Sequence, residues 1–463
     1  MWHYCIFLRS SVNFDGLPLI KFTEQILRKS DCAIRPPDIR LIERDPLAII
    51  GCKMNFHGSV VADRSNARHR ERAPHQSEAI AVREHSRSHA ASAACHDNLS
   101  REVFGVLGIP VDALDLTSLL TMVRTAVESN APFLLSTPNV NFLMMSRVDK
   151  EFRESLLMSD ACPVDGMPIV WIARLLGVSV RKVSGCEIFD ALRLRNGSDR
   201  PLNVFLFGGA EGLADTVSKK LNAEAEGMAC VGAINPGFGS VTDMSQAAVL
   251  DVINSSNADL LTVFLSAKKA QGWLLQNHHR LQVPFRAQFG ATINLQAGTI
   301  KRAPERWRVW GFEWLWRIKE EPYLWRRYWT DGRGLLYLLV TCVLPLAISQ
   351  QWRRLVGLVR NTELVVDRRE NESSIALKFS GDAVAAHVES AISFFRPALR
   401  TNKSILIDLS NVTAIDARFF GLILTLRKHL LDRGLSLEFS GETARMIRAF
   451  RLNGFGFLLN SEK

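Results

Sequence analysis

The sequence predicts an α/β protein in two parts: a mostly parallel sheet with helices on both faces, then a second small α/β domain, with a helical Trp/Arg-rich appendage between them. Three observations lead there. Short apolar runs alternate with amphipathic helical stretches from Val103 to Ala297, the order that builds parallel strands with crossover helices. A dense cluster of tryptophan and arginine follows, holding Trp307, Trp310, Trp314, Trp316, Trp325 and Trp329. Beyond the apolar run Leu335–Ile348 the strand–helix alternation resumes on the scale of a domain of about 100 residues. The chain therefore divides into residues 1–100, 101–300, 301–360 and 361–463.

Residues 1–100 read as a poorly ordered basic region. The run VADRSNARHRERAPHQSEAIAVREHSRSHAASAA is rich in Arg, His, Ser and Ala and has no apolar period. The opening MWHYCIFLRSSVNF lacks the basic start and long apolar core of a secretory signal. A net charge of +10 favours an acidic partner: nucleic acid, anionic lipid or a phosphorylated substrate. No nucleic-acid motif accompanies the charge, so no nucleic-acid partner is expected. The eight Cys are scattered without a C-x-x-C pair, which argues against a zinc site or a disulfide framework and fits a reducing compartment.

In residues 101–300, VFGVLGIPVDAL reads as a strand and turn, and LDLTSLLTMVRTAVESN as a helix capped by Asp115 or Thr117. FLLSTPNVNFL is a strand entering a loop. FRESLLMSDACPVDGMPIVWIARLLG gives helix, short strand and helix. LNVFLFGGAEG is a strand with a Gly turn, as is CVGAINPGFG. ADLLTVFLSAKKAQGWLLQN and FRAQFGATINLQAG complete the alternation, with ATINLQAG read as strand. Parallel sheets bind ligands beyond the carboxyl ends of their strands. That rule singles out the loops Thr137–Asn139, Asp165–Gly166, Gly208–Gly212 and Gly237–Gly239. Asp165, in CPVDGMP, suits a base on a substrate hydroxyl or a plain turn aspartate. Thr137 and Asn139 suit a polyol or local turn bonds. FGGAEG opens a helix whose N-terminus favours an anion, although it is neither G-x-G-x-x-G nor a Walker loop. There is no D-x-D, H-E-x-x-H or G-x-S-x-G, so no metal is expected, and arginines would have to stabilise a departing phosphate.

Trp307, Trp310, Trp314 and Arg317 stand at helical spacing, which predicts one helical face with an apolar stripe ending in a cation. Tryptophan suits a bilayer interface and arginine grips phosphate, so the cluster suggests a phosphate-bearing substrate held near a membrane. An amphipathic helix packed on its own domain explains it equally. As a helix, LLYLLVTCVLPLAI would be about 21 Å long, short of the roughly 30 Å hydrocarbon core, so it reads as buried or lying in the membrane plane.

These stretches together resemble the WecG/TagA/CpsF glycosyltransferases (glycosyltransferase family 26) from Val103 to Tyr328. The likeness rests on the T-x-N loop, the P-x-D-G loop, VSGCEIFDAL, FLFGGAEG, NPGFG and FGATINLQAGTIKRAPERWRVWGFEWLWR with its following EPYLWRRY. It implies inverting, metal-independent transfer, without a cofactor, from a UDP-sugar to a polyprenyl-diphosphate-linked acceptor in bacterial surface polysaccharide synthesis. It also implies work at the inner face of the cell membrane. In that reading Asp165 is the general base, and Thr137 and Asn139 line the sugar pocket beside Gly166. Gly208 and Gly209 lie near the diphosphate, and Arg302, Arg317, Arg326 and Arg327 close over it. The chain departs from the pattern at Lys269 and Ala270, where Gln and Glu are expected, and at Asn294, where Asp is common. Those departures motivate a second reading, a non-catalytic membrane scaffold.

In residues 361–463, SILIDLSNVTAIDARFFGLILTLRKHLLDRG resembles the central strand–loop–helix of STAS domains. The resemblance implies a docking or regulatory module with a protein partner. The family's phosphoacceptor serine lies two positions after the loop aspartate, where this chain has Arg418 after Asp416, so phosphorylation switching is not expected there.

Overall fold

The computed structural model describes residues 98–194, 200–224, 226–355 and 362–459. The expectation for residues 1–100 lies almost wholly outside the described residues. Of these, Asn98–Ser100 form a short turn that buries Leu99. The described residues all belong to one compact unit, His75–Lys463.

Strands β1 (Val103–Val106) and β2 (Ile109–Asp112) form a hairpin and a sheet of their own. The turn residues Leu107 (φ 50) and Gly108 (φ 94) both take positive φ, the conformation that matches strand twist. Helix α1 (Leu116–Glu128) begins at Asp115, whose carboxylate accepts from Ser118 N at 2.8 Å, so of the two predicted caps this one is used. Then come β3 (Phe133–Leu135), α2 (Val140–Val148) and α3 (Lys150–Leu157). The short strand expected after α3 is only a set of single bridges at Ala161, Pro163 and Val164. There follow α4 (Met167–Leu175), α5 (Gly185–Arg193), β4 (Leu202–Gly208), α6 (Leu213–Glu224) and β5 (Met228–Ile234). Next are α7 (Ala247–Ser255), β6 (Leu260–Phe264), α8 (Ala267–Asn277) and β7 (Phe285–Gln288).

The main sheet runs β3-β7-β6-β4-β5 with every pairing parallel. Its two faces follow from the period of two along each strand. Val204 and Leu206 point to one side and join Leu119, Val123, Ile188 and Phe189. Phe205 and Phe207 point to the other and join Leu250, Ile253, Trp273 and Leu274, with Phe207 stacked on Trp273 at 4.4 Å. Ala270 is fully buried in this second layer, and Lys269 Nζ donates to Gly239 O at 2.9 Å. The departures at 269 and 270 therefore serve core packing and the NPGFG turn. The ATINLQAG stretch is helix rather than strand. The strand stops at Gln288, Gly290 takes φ 47, and α9 (Thr292–Gln296) begins.

The appendage holds α10 (Glu305–Val309), α11 (Glu313–Glu320) and α12 (Trp325–Leu338). The single face expected for Trp307, Trp310, Trp314 and Arg317 is split between α10 and α11. Gly311 breaks it at φ 76, where a Cβ would come within 2.8 Å of Met167 and 3.0 Å of Trp171. Instead Trp307 packs edge-on to Trp316 at 6.0 Å, and Trp316 Nε1 donates to Lys301 O. After α12 a π turn, Leu339–Val343, leads into α13 (Leu344–Leu355). Pro345 has no N–H to donate, and the wider turn just before it absorbs the defect without ending the helix. The continuous helical stretch Pro322–Trp352 is thus 31 residues long, far longer than the apolar run alone, and by length and composition it is enough to cross a membrane. One side of it is buried at Leu338, Cys342 and Val343. The other exposes Leu336, Val340, Leu344, Ile348 and Trp352, a stripe at intervals of four.

The second domain comprises β8 (Val365–Glu370), β9 (Ser374–Ala383), α14 (Val388–Arg400), β10 (Ser404–Ile415), α15 (Ala417–Leu431), β11 (Leu437–Ser440) and α16 (Ala444–Leu452). Its sheet runs β11-β10-β9-β8, and β8, not foreseen in the sequence, adds antiparallel at the edge. Asp416 caps α15, accepting from Phe419 N at 2.9 Å. Helix α15 lies against the β1–β2 hairpin. A Cβ on Gly421 would fall 1.9 Å from Val103 O, and one on Gly105 would fall 2.6 Å from Phe420. Arg418 is buried here and donates to Val103 O at 3.3 Å. Arg427 forks onto Glu154 at 2.9 and 3.1 Å, and Lys428 pairs with Asp160. The two domains therefore share a packed, charged seam.

Candidate active site

The carboxyl ends of β3, β6 and β7 open into one cavity of about 790 Å³, with the appendage as its far wall. Thr137, Asn139, Asp165 and Gly166 all line it, as the rule for parallel sheets predicts. Asp165 follows the parallel bridge Val164–Lys182, and its backbone N–H donates to Pro138 O at 3.0 Å. Gly166 takes φ 116 as α4 begins, a conformation that glycine adopts without strain. Asn139 caps α2, its Oδ1 accepting from Phe142 N at 3.2 Å, so the local reading of that side chain holds for the oxygen. Thr137 is buried at the base of the cavity.

The charges around Asp165 come from three separate segments. Lys182 Nζ stands 3.1 Å from Glu313 Oε2, on the appendage, and 3.9 Å from Glu187 Oε1, on α5. Glu187 also completes a capping box with Ser184. Burial pushes the Asp165 carboxyl up to about 7, and Glu313 and Glu187 add to this against the pull of Lys182 and Arg317. Lys182 is itself held above its ordinary value: Glu313, Glu187 and Asp165 outweigh its burial. A half-buried carboxylate that titrates near neutrality is suited to take a proton from a hydroxyl.

Of the four arginines singled out, Arg317 and Arg327 line the cavity. Arg317 is braced by Glu321 through Nη2 at 2.6 Å and Nε at 3.1 Å. Arg302 and Arg326 lie outside the lining. Arg302 pairs with Asp190 at 2.5 Å, and the Arg326 guanidinium sits 5.7 Å from the Trp325 ring centroid. Gly208 and Gly209 also lie outside the lining. They form a tight turn in which a Cβ on Gly209 would meet Ile293 at 2.9 Å, so they support α9 from behind. Arg308, Lys182, Glu313 and Tyr328 line the cavity without having been singled out, and Arg308 has a buried Nε with no hydrogen-bond partner. Such a donor signals an anion site only once the fold places it. Part of the cavity lining is apolar, made by Trp171, Ile172 and Leu175 of α4 and by Leu335 and Leu339 of the long helix.

Comparison with known proteins finds two matching family models. The model of the glycosyl transferase WecG/TagA/CpsF family matches residues 104–347, more than half of the 463-residue chain. A model described as Mlab, STAS domain, matches residues 366–460. A relative from Bacillus spizizenii, named N-acetylglucosaminyldiphosphoundecaprenol N-acetyl-beta-D-mannosaminyltransferase, is 23% identical over 225 residues, covering 47% of this chain and 85% of its own. A solved structure titled as the Bacillus cell fate determinant SpoIIAA in the phosphorylated form is 14% identical over 20% of this chain and 88% of its own. Its TM-score of 0.18 is too low to carry weight. The first match takes in the parallel sheet, the cavity and the appendage, and with it the chain belongs to the WecG/TagA/CpsF family of glycosyltransferases, with a STAS domain at its C-terminal end.

Proposed function

We propose that this glycosyltransferase moves a sugar, with inversion and without a metal, from a UDP-sugar to a polyprenyl-diphosphate-linked acceptor in bacterial surface polysaccharide synthesis. The observation that carries this reading is a single cavity lined both by the charged groups around Asp165 and by apolar side chains of α4 and the long helix. The acceptor hydroxyl attacks the anomeric carbon as Asp165 takes its proton. The bond from that carbon to the diphosphate breaks on the opposite face, and UDP leaves with its charge against Arg327, Arg317 and Arg308. Thr137 and the amide of Asn139 face the sugars. The lipid of the acceptor follows Trp171, Leu175, Leu335 and Leu339 out of the cavity. The Bacillus spizizenii relative, by its name, uses an N-acetylglucosaminyl diphosphoundecaprenol acceptor and transfers N-acetylmannosamine, which favours N-acetylhexosamines as the first donors to try.

The same reading puts the protein on the inner face of the cell membrane as a peripheral enzyme. One side of the long helix packs on the transferase core while Leu336, Val340, Leu344 and Ile348 face outward, which suits a helix lying in the interface plane. The test is transfer of radiolabelled sugar from a panel of UDP-sugars into membrane lipid extract with EDTA present, comparing wild type with Asp165→Asn. Incorporation by wild type alone is the expected result. Folded wild-type protein that transfers from no donor would overturn it.

A further inference from the structure

A second cavity, of about 300 Å³, lies at the seam between the two domains, away from the transferase site. The transferase side contributes Arg147 and Arg153, and the STAS side contributes Arg451 and Phe457. No carboxylate is among the described residues that line it. The acids nearest Arg153 are already engaged: Glu154 by Arg427 at 2.9 and 3.1 Å, and Asp149 by Lys268 at 2.7 Å. Arg153 is fixed in place. Its Nη1 donates to Ser146 O at 3.2 Å, its guanidinium lies 4.1 Å over the Phe457 ring, and its Nε is buried with no hydrogen-bond partner. Burial holds it below the ordinary guanidinium value despite Glu154, and Arg427 and Arg147 push the same way.

The pocket's shape is built as well as its charge. Gly108 and Gly454 both line it at positive φ. A Cβ on Gly108 would meet Gly454 O at 2.7 Å, and one on Gly454 would meet the Leu107 carbonyl carbon at 2.4 Å. The two backbones cross so closely that neither domain can shift its share of the pocket alone. Three guanidiniums from two domains, around a small cavity with no acid among the described residues that line it, make a receptor for a compact, multiply charged anion. Planar forks of this kind match phosphate oxygens.

We propose that Arg147, Arg153 and Arg451 form a phosphate or diphosphate site that fastens the STAS domain to the transferase. This site is independent of the transfer chemistry. Its anion is either a soluble phosphate ester or the headgroup of a lipid, since α16 also packs near the π turn of the apolar helix.

The test uses the full chain. Inorganic pyrophosphate is titrated by calorimetry, and vesicles of phosphatidylcholine with and without phosphatidic acid are used in flotation. Arg147 and Arg451 are both exposed, so Arg147→Gln/Arg451→Gln keeps the fold, whereas Arg153 is packed and is left intact. Arg445→Gln/Arg448→Gln, on the exposed side of α16 outside the cavity, is the charge-matched control. Pyrophosphate binding that weakens at least tenfold in the first variant but not in the control, with a rise in Tm on binding in wild type and control but not in the first variant, establishes a soluble ligand. The same pattern with phosphatidic acid vesicles alone establishes a lipid headgroup. Equal losses in both variants, or wild type that binds neither probe, would overturn the proposal.

Discussion

Lys182 Nζ lies 3.1 Å from Glu313 Oε2, and this pair joins the sheet domain to the appendage across the cavity that holds Asp165. Its two members push Asp165 in opposite directions, Glu313 up and Lys182 down. Glu313→Gln should therefore move the acid limb of the pH–rate profile to lower pH, and Lys182→Met should move it to higher pH. Profiles of kcat/KM for both variants check this. Limbs that stay in place would mean that the pair is only a mechanical tie.

In the proposed mechanism, Asp165 must lose its proton to act as a base. With its carboxyl at about 7, kcat/KM should fall tenfold per pH unit below that point and level off above it. Asp165→Asn should lower the rate by about 10²- to 10⁴-fold while UDP-sugar binding by calorimetry changes little. Loss of binding together with activity would mark Asp165 as structural.

The same group makes a stability prediction. An unfolded Asp165 ionises near 3.8, whereas the folded one keeps its proton to about 7. The folded state thus binds more protons across that window, and this residue's contribution makes stability fall as pH rises through it. Asp165→Asn removes the effect, so its Tm relative to wild type should increase between pH 4 and pH 8. A constant difference would contradict the assignment.

The outer stripe of the long helix can be changed without touching the core. Val340→Asp/Leu344→Asp should leave Tm within a few degrees of wild type yet greatly reduce flotation with vesicles. Retained flotation would remove the membrane from the reading.

Much of this was legible in sequence. The continuous apolar run at β4 gave a strand buried on both faces, and of the four loops that the loop rule pointed to, those holding Thr137, Asn139 and Asp165 line one cavity while Gly208–Gly212 and Gly237–Gly239 do not. Lys182 and Glu313 were not legible. Lys182 sits in the run VSVRKVSG, which carries no motif, and Glu313 lies 131 positions away, and only the Val164–Lys182 bridge and the fold of the appendage bring both to Asp165. The broken Trp face was hidden for a related reason. Helical spacing across Gly311 carries no information about φ, and it is the close approach of Met167 and Trp171 that fixes the break.

At the seam, Lys428 pairs with Asp160, whose carboxylate also accepts from Leu134 N at 2.7 Å at the start of the strand leading to Thr137. Asp160 is held below the ordinary carboxylate range in spite of its burial, by Lys428 and by that N–H. Lys428→Ala leaves this carboxylate without its cation and should cost roughly 1–3 kcal/mol of stability, less than a fully buried pair because both groups keep some solvent. Urea unfolding measures it.

Helix α15 presents Arg418 and Gly421 to the β1–β2 hairpin, with no room for even a methyl group at Gly421. The hairpin belongs to the same chain and already fills that face, so an outside protein could bind there only by displacing it. A partner that bound this STAS domain without displacing the hairpin would have to use its remaining surfaces.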